Sequence, residues 1–308
     1  MSSLMTVLTA LEARGFENLK PISGGNVATS LYRGCAADTG ELVVIKIGLT
    51  ETDGREVAAN MEGYKRIQTM GGGSLLPDRL EFLELDDVPL IVMSDCGQDF
   101  RQAVGLLPAP REAYVSLVTS MEDVYRRTAV SSSARSSLER MRSGIGLVLA
   151  GEVFAGLIES RDIEALQAYD LGRVTPHRSC FADFNFTPEN VFLAGGRVRY
   201  IDPTADVVGI PIIDLACFSG VATAYGLAGH AEGAKTLEWA ATQGMLPDLL
   251  GLTGDQARRL FVFGRVLQTA YSAHYRLKPY PEQGRQLVEQ CVSFLRRFVS
   301  EESCEEGS

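Results

Sequence analysis

The prevailing hydrophobic period of this chain changes close to Ser94, and that change limits the fold more than any other feature. Before it, short β-like runs separated by glycine turns dominate: Ser30 to Tyr32, Val43 to Ile47, Leu80 to Leu85 and Pro89 to Met93. An amphipathic segment, Leu4 to Arg14, precedes them, and a second with helical spacing, Arg55 to Gln68, is embedded among them. After Ser94, Tyr114, Leu117, Val118, Met121, Val124 and Tyr125 fall on one helical face. Leu260, Phe263, Val266, Leu267, Ala270 and Tyr271 share another, and Leu287, Val288, Cys291, Leu295 and Phe298 a third. One β-like island, Cys180 to Asp202, interrupts the helices. This order predicts an α+β chain of two lobes. An antiparallel sheet lobe with one helix spans 1–94, a larger and mainly α-helical lobe spans 95–300, and an acidic tail expected to be disordered spans 301–308.

With 308 residues the chain is long enough to bury the cores of two lobes without covalent staples. Its six cysteines, Cys35, Cys96, Cys180, Cys217, Cys291 and Cys304, form no C-x-x-C pair. They read as reduced thiols of a cytoplasmic protein, not as a zinc site. A formal charge of −10 disfavours tracking of a nucleic-acid backbone. Met1 to Gly15 has no cationic start followed by a long apolar run, and the apolar stretch from Ile145 to Ala150 is too short to span a bilayer. Neither a signal peptide nor a membrane partner is expected.

The segment Asn190 to Asp202 reads strand, Gly-Gly turn, strand, and ends in a carboxylate. A hairpin brings its two ends together, so Asn190 and Asp202 could offer oxygen ligands to one hard cation. A surface hairpin whose asparagine and aspartate cap turns would read the same way. Upstream, Asp183 and Asn185 lie in Phe181-Ala-Asp-Phe-Asn-Phe-Thr-Pro-Glu-Asn190, which places a further carboxylate shortly before the asparagine.

This block resembles the catalytic loop and metal-binding aspartate of the aminoglycoside phosphotransferase and choline kinase group, within the protein-kinase-like superfamily. That group writes H-x-D-x-x-x-x-N, then about a dozen residues, then an aspartate. Gly209-Ile-Pro-Ile-Ile-Asp214-Leu-Ala is similar to its P-x-x-D-L-A segment. The resemblance covers roughly residues 20 to 300 and implies a bilobal kinase-like fold with ATP and Mg2+ between the lobes. It implies an ATP-dependent phosphotransferase that moves the γ-phosphate to a hydroxyl of a small molecule. On this resemblance Lys46, in Val43-Val-Ile-Lys-Ile, holds the phosphates, with Glu56 as its partner and Glu62 as the second choice. Gly24 and Gly25 form the phosphate-covering turn, and Met93, Ser94 and Cys96 form the linker that meets adenine. Asn190 and Asp202 bind magnesium, and Asp214 braces the loop. A strand lysine pointing to solvent and a helix glutamate in water would fit the same residues read singly.

One departure bears on catalysis. The group's aspartate stands five residues before the metal asparagine, and here that position is Asn185, while Asp183 stands seven before. Phe181 replaces the group's histidine. Either the loop carries two extra residues and Asp183 is the base, or Asn185 occupies the base position and the protein is an impaired kinase or a nucleotide-binding pseudokinase. The first is preferred here, because two extra loop residues cost little closure entropy. The acceptor stays open among aminoglycosides, other antibiotics, amino alcohols, sugars and nucleosides, and the protein is expected to be a monomer or homodimer.

Overall fold

The computed structural model describes residues 4–22, 30–194, 197–277 and 281–300. The expected Gly24–Gly25 turn and the acidic tail therefore lie outside the described residues. In chain order the elements are α1 (Leu4–Ala13), β1 (Phe16–Pro21), β2 (Ser30–Ala36), β3 (Leu42–Ile47), α2 (Glu51–Thr69), β4 (Leu80–Leu85) and β5 (Val88–Ser94). There follow α3 (Phe100–Leu106), α4 (Pro110–Thr128), α5 (Arg135–Leu149), α6 (Ser160–Ala168), β6 (Cys180–Phe181), β7 (Val191–Ala194), β8 (Arg197–Tyr200) and β9 (Val208–Gly209). The chain ends in α7 (Pro211–Ala224), α8 (His230–Thr242), α9 (Leu246–Leu250), α10 (Gly254–Arg276) and α11 (Pro281–Ser300).

The first lobe is an antiparallel five-stranded sheet in the order β1-β2-β3-β5-β4. Strand alternation sorts its side chains onto two faces. Val43, Ile45, Ile47, Leu90 and Val92 face Val7 and Leu11 of α1, in a core of their own. Ile91 and Met93 face the other way and join Val57, Tyr64 and Ile67 of α2. The embedded helix begins four residues before the sequence pattern suggests. A reciprocal capping box sets that start: Thr50 accepts from the Asp53 N–H, and Asp53 accepts from the Thr50 N–H. Its buried stripe, Asp53, Val57, Asn60, Tyr64 and Ile67, follows the three-and-four spacing of a helix seated on a sheet, with Asn60 as a polar member.

The second lobe is built around α7, buried nearly all round and packed between α8 and α10. Two short β pairs lie at its surface toward the first lobe. In the β7–β8 hairpin Val191 is opposite Tyr200, and the Ile201 N–H continues the pairing by donating to the Asn190 carbonyl at 2.9 Å. This bond brings Asn190 next to Asp202. Across the back of the cleft the Arg199 guanidinium, nearly fully buried, donates to the Ser74 carbonyl at 2.8 Å and pairs with Asp78. No helix among the described residues is long and apolar enough to cross a membrane.

Candidate active site

Lys46 is the penultimate residue of β3 and is 1% exposed. A buried ammonium needs partners for each of its three N–H groups, or its desolvation would expel it. It has three: Glu56 Oε1 at 2.6 Å, Asn60 Oδ1 at 2.8 Å and Asp202 Oδ1 at 3.0 Å. Glu56 and Asn60 stand one turn apart on α2, so a single helix face supplies two of the three. The third comes from the far lobe. The solvent-facing reading of Lys46 is thereby excluded. Glu62 points away and pairs with Arg66 at 3.0 Å in the exposed i,i+4 manner.

Asp202 has a left-handed backbone, φ 54°, uncommon for a residue with a side chain. Both of its backbone polar groups are held there. Its N–H donates to the Tyr64 hydroxyl at 3.2 Å, and its carbonyl accepts from the Asn185 side-chain amide at 2.7 Å. The turn thus aims the carboxylate back toward Lys46. Tyr64 is fully buried, and burial together with the Asp202 charge pushes its phenol well above the usual range. The following residue is tied as well: the Asn60 amide donates to the Pro203 carbonyl at 2.8 Å. Gly63 makes the approach of α2 to this turn feasible, since a Cβ there would stand 2.2 Å from the Thr204 carbonyl oxygen and 2.9 Å from Pro203 Cβ.

Asp183 lies inside the protein, 1% exposed. One carboxylate oxygen accepts from the Asn185 N–H at 3.0 Å and the Thr204 hydroxyl at 3.0 Å, and the other from the Thr204 N–H at 2.7 Å. Burial raises its pKa and these donors work against that rise. The Tyr200 hydroxyl is buried near it, and burial together with the Asp183 charge pushes this phenol well above the usual range. The Asp183 N–H in turn donates to Asp214 Oδ2 at 2.5 Å. Asp214, in the first turn of α7, is pushed well above the carboxylate range by burial and then by the Asp183 charge, against the pull of that hydrogen bond. Asp183 therefore joins the Thr204 segment to α7, and its oxygens are directed inward. Asn185 is half-buried, and the Asn190 amide donates to its carbonyl at 3.0 Å, a span of five residues.

Of the linker residues, Met93 is buried beneath Tyr64, with its sulfur 4.0 Å from the phenol oxygen. Ser94 is engaged at the strand end: its hydroxyl donates to Glu41 at 2.6 Å and accepts from the Arg79 N–H at 2.7 Å. Cys96 follows, half-buried, its thiol pushed up to about 11 chiefly by burial. The fold thus brings Lys46, Glu56, Asn185, Asn190 and Asp202 to one region between the lobes, with the linker at its edge, while Asp214 lies behind it inside the second lobe, joined to the loop through the Asp183 N–H.

Asn60, Gly63, Tyr64 and Thr204 were not among the residues expected from sequence. Their signals are slight. Asn60 is a polar residue on an otherwise apolar stripe, four after Glu56, and Thr204 stands two after Asp202.

The residues suit magnesium of a particular kind. Asp202 offers a carboxylate, and Asn190 spends its amide nitrogen on Asn185, which leaves its carboxamide oxygen as the ligand atom. No group of three or more His, Cys, Asp or Glu residues able to hold a metal occurs among the described residues. Two oxygen donors are what magnesium takes from a protein when phosphates and water complete its shell.

No family model and no curated protein matches this sequence. Among solved structures, a candidate fructosamine-3-kinase from Haemophilus somnus superposes with a TM-score of 0.59 at 10% identity, covering 96% of this chain and 97% of that one. A choline/ethanolamine kinase family protein from Mesorhizobium loti gives 0.55 at 14% identity over 94% of each chain. A glucosamine kinase in complex with glucosamine, ADP and inorganic phosphate gives 0.55 at 13% identity, covering 94% of this chain and 83% of that one. The fold is the bilobal α+β architecture that these proteins share.

Proposed function

We propose that the protein is an ATP- and magnesium-dependent phosphotransferase acting on a hydroxyl of a small molecule. The observation that carries this reading is the three-way hold on buried Lys46, which joins β3, α2 and the Asp202 turn at one point between the lobes. The similarity in fold to small-molecule kinases supports the same reaction class. Lys46, oriented by Glu56, would bind nucleotide phosphates, and Asn190 and Asp202 would hold magnesium. The cation supplies charge neutralisation at the phosphates. The chain's own residues supply alignment.

We assign Asn185, and not Asp183, to the loop position facing the acceptor. The five-residue step from Asn185 to Asn190 matches the spacing of the resembled pattern without an insertion, and Asp183 is occupied as an internal strut. An amide cannot take up the acceptor's proton at neutral pH. Phosphoryl transfer through a loose transition state depends mainly on positioning and electrostatics, so this loss reduces the rate without removing the reaction. Beside Asn185, exposed Phe184 packs edge-on against Tyr271 of α10, ring centres 5.8 Å apart. One turn further, Tyr275 and His274 border a groove of about 560 Å³ with Leu147 and Glu152. A small acceptor would lie along that wall.

The test is ATP consumption across a panel of hydroxylated metabolites, amino alcohols, sugars and antibiotics, with phosphorylated product identified by mass spectrometry. Asp202→Ala serves as the blank. Turnover in the wild type and none in the variant is expected. A panel without turnover, from a protein that still binds MgADP, would favour the pseudokinase reading that Asn185 keeps open.

A further inference from the structure

Asn60 gives Lys46 a third permanent acceptor. A lysine ammonium carries three N–H donors and no more. In this structure all three are spent, on Glu56, Asn60 and Asp202. A phosphate oxygen therefore finds no donor on Lys46 unless one bond is given up. The three partners differ in how easily they leave. Asn60 is 6% exposed, and its own amide is pinned to the Pro203 carbonyl. Glu56 approaches Lys46 most closely, at 2.6 Å. Asp202 makes the longest of the three contacts and is a carboxylate beside Asn190 that a divalent cation would draw away; exposure does not set it apart from Glu56, whose side chain is 40% exposed against 29%.

We infer that Asn60 is a positioning residue that makes nucleotide binding conditional on the cation: by saturating Lys46 together with Glu56, it withholds a phosphate donor until Asp202 is drawn off. This rests on the nucleotide reading above and deepens it. Without Asn60, Lys46 would keep one N–H unspent, and a nucleoside diphosphate could bind it with no cation present. The coupling is a linkage between two ligands, and it is measured as a ratio of affinities.

The experiment is calorimetry of ADP binding with magnesium and with the cation removed by chelator, on the wild type, Asn60→Ala and Asn60→Asp, with melting temperature recorded for each. In the wild type, ADP affinity falls steeply when magnesium is removed. In Asn60→Ala that ratio shrinks by about tenfold or more, the low end of what one hydrogen bond to a charged group contributes, because metal-free binding improves. Asn60→Asp keeps an acceptor on Lys46, loses the donor to Pro203 and adds a negative charge that further disfavours ADP without the cation, so its ratio stays at or above the wild-type value. Equal ratios in all three proteins would overturn the inference. A ratio lowered equally by Ala and Asp would overturn it too, since the tether to Pro203 would then be the cause. If ADP gives no heat in the wild type even with magnesium, the nucleotide reading fails, and this inference with it.

Discussion

Gly63→Ala tests the packing of α2 on the Asp202 turn, because two opposing effects can be weighed from the structure. In a helix interior, replacing glycine by alanine is worth up to about 1 kcal/mol in favour of the variant. Against that, the new Cβ would stand 2.2 Å from the Thr204 carbonyl oxygen, backbone that is itself held by the bonds of Thr204 to Asp183. Restoring ordinary contact requires a separation of about 1 Å between helix and turn, and overpacking of this kind typically costs about 1–3 kcal/mol. The two nearly offset in stability, so a drop of a few degrees at most is expected in melting temperature. Nucleotide affinity behaves differently. A shift of that size breaks the 2.8 Å bond from Asn60 to Pro203 and displaces Glu56, which rides on the same helix. MgADP affinity should therefore fall about tenfold, equivalent to about 1.4 kcal/mol. Gly54→Ala is the matched control. It lies in the same helix, but its Cβ would meet nothing closer than 3.7 Å. This variant should gain stability by up to about 1 kcal/mol and bind MgADP normally. Calorimetry and thermal melting on both proteins decide the matter. Wild-type MgADP affinity in Gly63→Ala would refute the argument that this helix must touch the turn.

Two further outcomes follow from the buried carboxylates. Asp183→Ala leaves the N–H groups of Asn185 and Thr204 without their acceptor, while the Thr204 hydroxyl keeps the Asp206 carbonyl at 3.1 Å. It should lower stability by about 2–4 kcal/mol, read by chemical denaturation, since each buried unpaired group costs about 1–3 kcal/mol and some will find water; an unchanged midpoint would mean the strut bears no load. Asp214→Asn retains an oxygen for the Asp183 N–H but cannot ionise. Because the folded pKa of Asp214 is raised, the native state binds the proton more tightly, and the wild type loses stability as pH rises from the unfolded carboxylate range through the folded value. The melting temperature of the wild type relative to Asp214→Asn should thus decline from pH 4 toward neutrality; a difference independent of pH would show that the burial penalty is relieved in another way.

The two lobes and the main helices were legible because each rests on a local period. The central strands of the sheet are short apolar runs rich in β-branched residues, and the faces of α4, α10 and α11 repeat at helical spacing. The hairpin that joins Asn190 to Asp202 was legible for the same reason, since a Gly-Gly turn between two β-like runs is a short-range signal. The interior position of Asp183 was not. It is fixed by Thr204 and Asp214, 21 and 31 residues away, contacts that no reading along the loop itself contains. Asn60 escaped notice because a polar residue on a helix usually meets water, and its burial depends on Pro203, 143 residues further on.

The larger of the two apolar clusters ignores the boundary at Ser94. It runs from Val57, Tyr64 and Ile67 of α2 and from Ile91 and Met93 of β5 directly into Phe100, Tyr114 and the helices beyond. The linker is thus a border for ligands and not for folding. Helix α2 owes part of its burial to the second lobe, so the first lobe made alone would expose the face that carries Glu56 and Asn60. The apolar cluster extends across the cleft, and the grip on Lys46 is complete only when both lobes are folded, because Asp202 comes from the second.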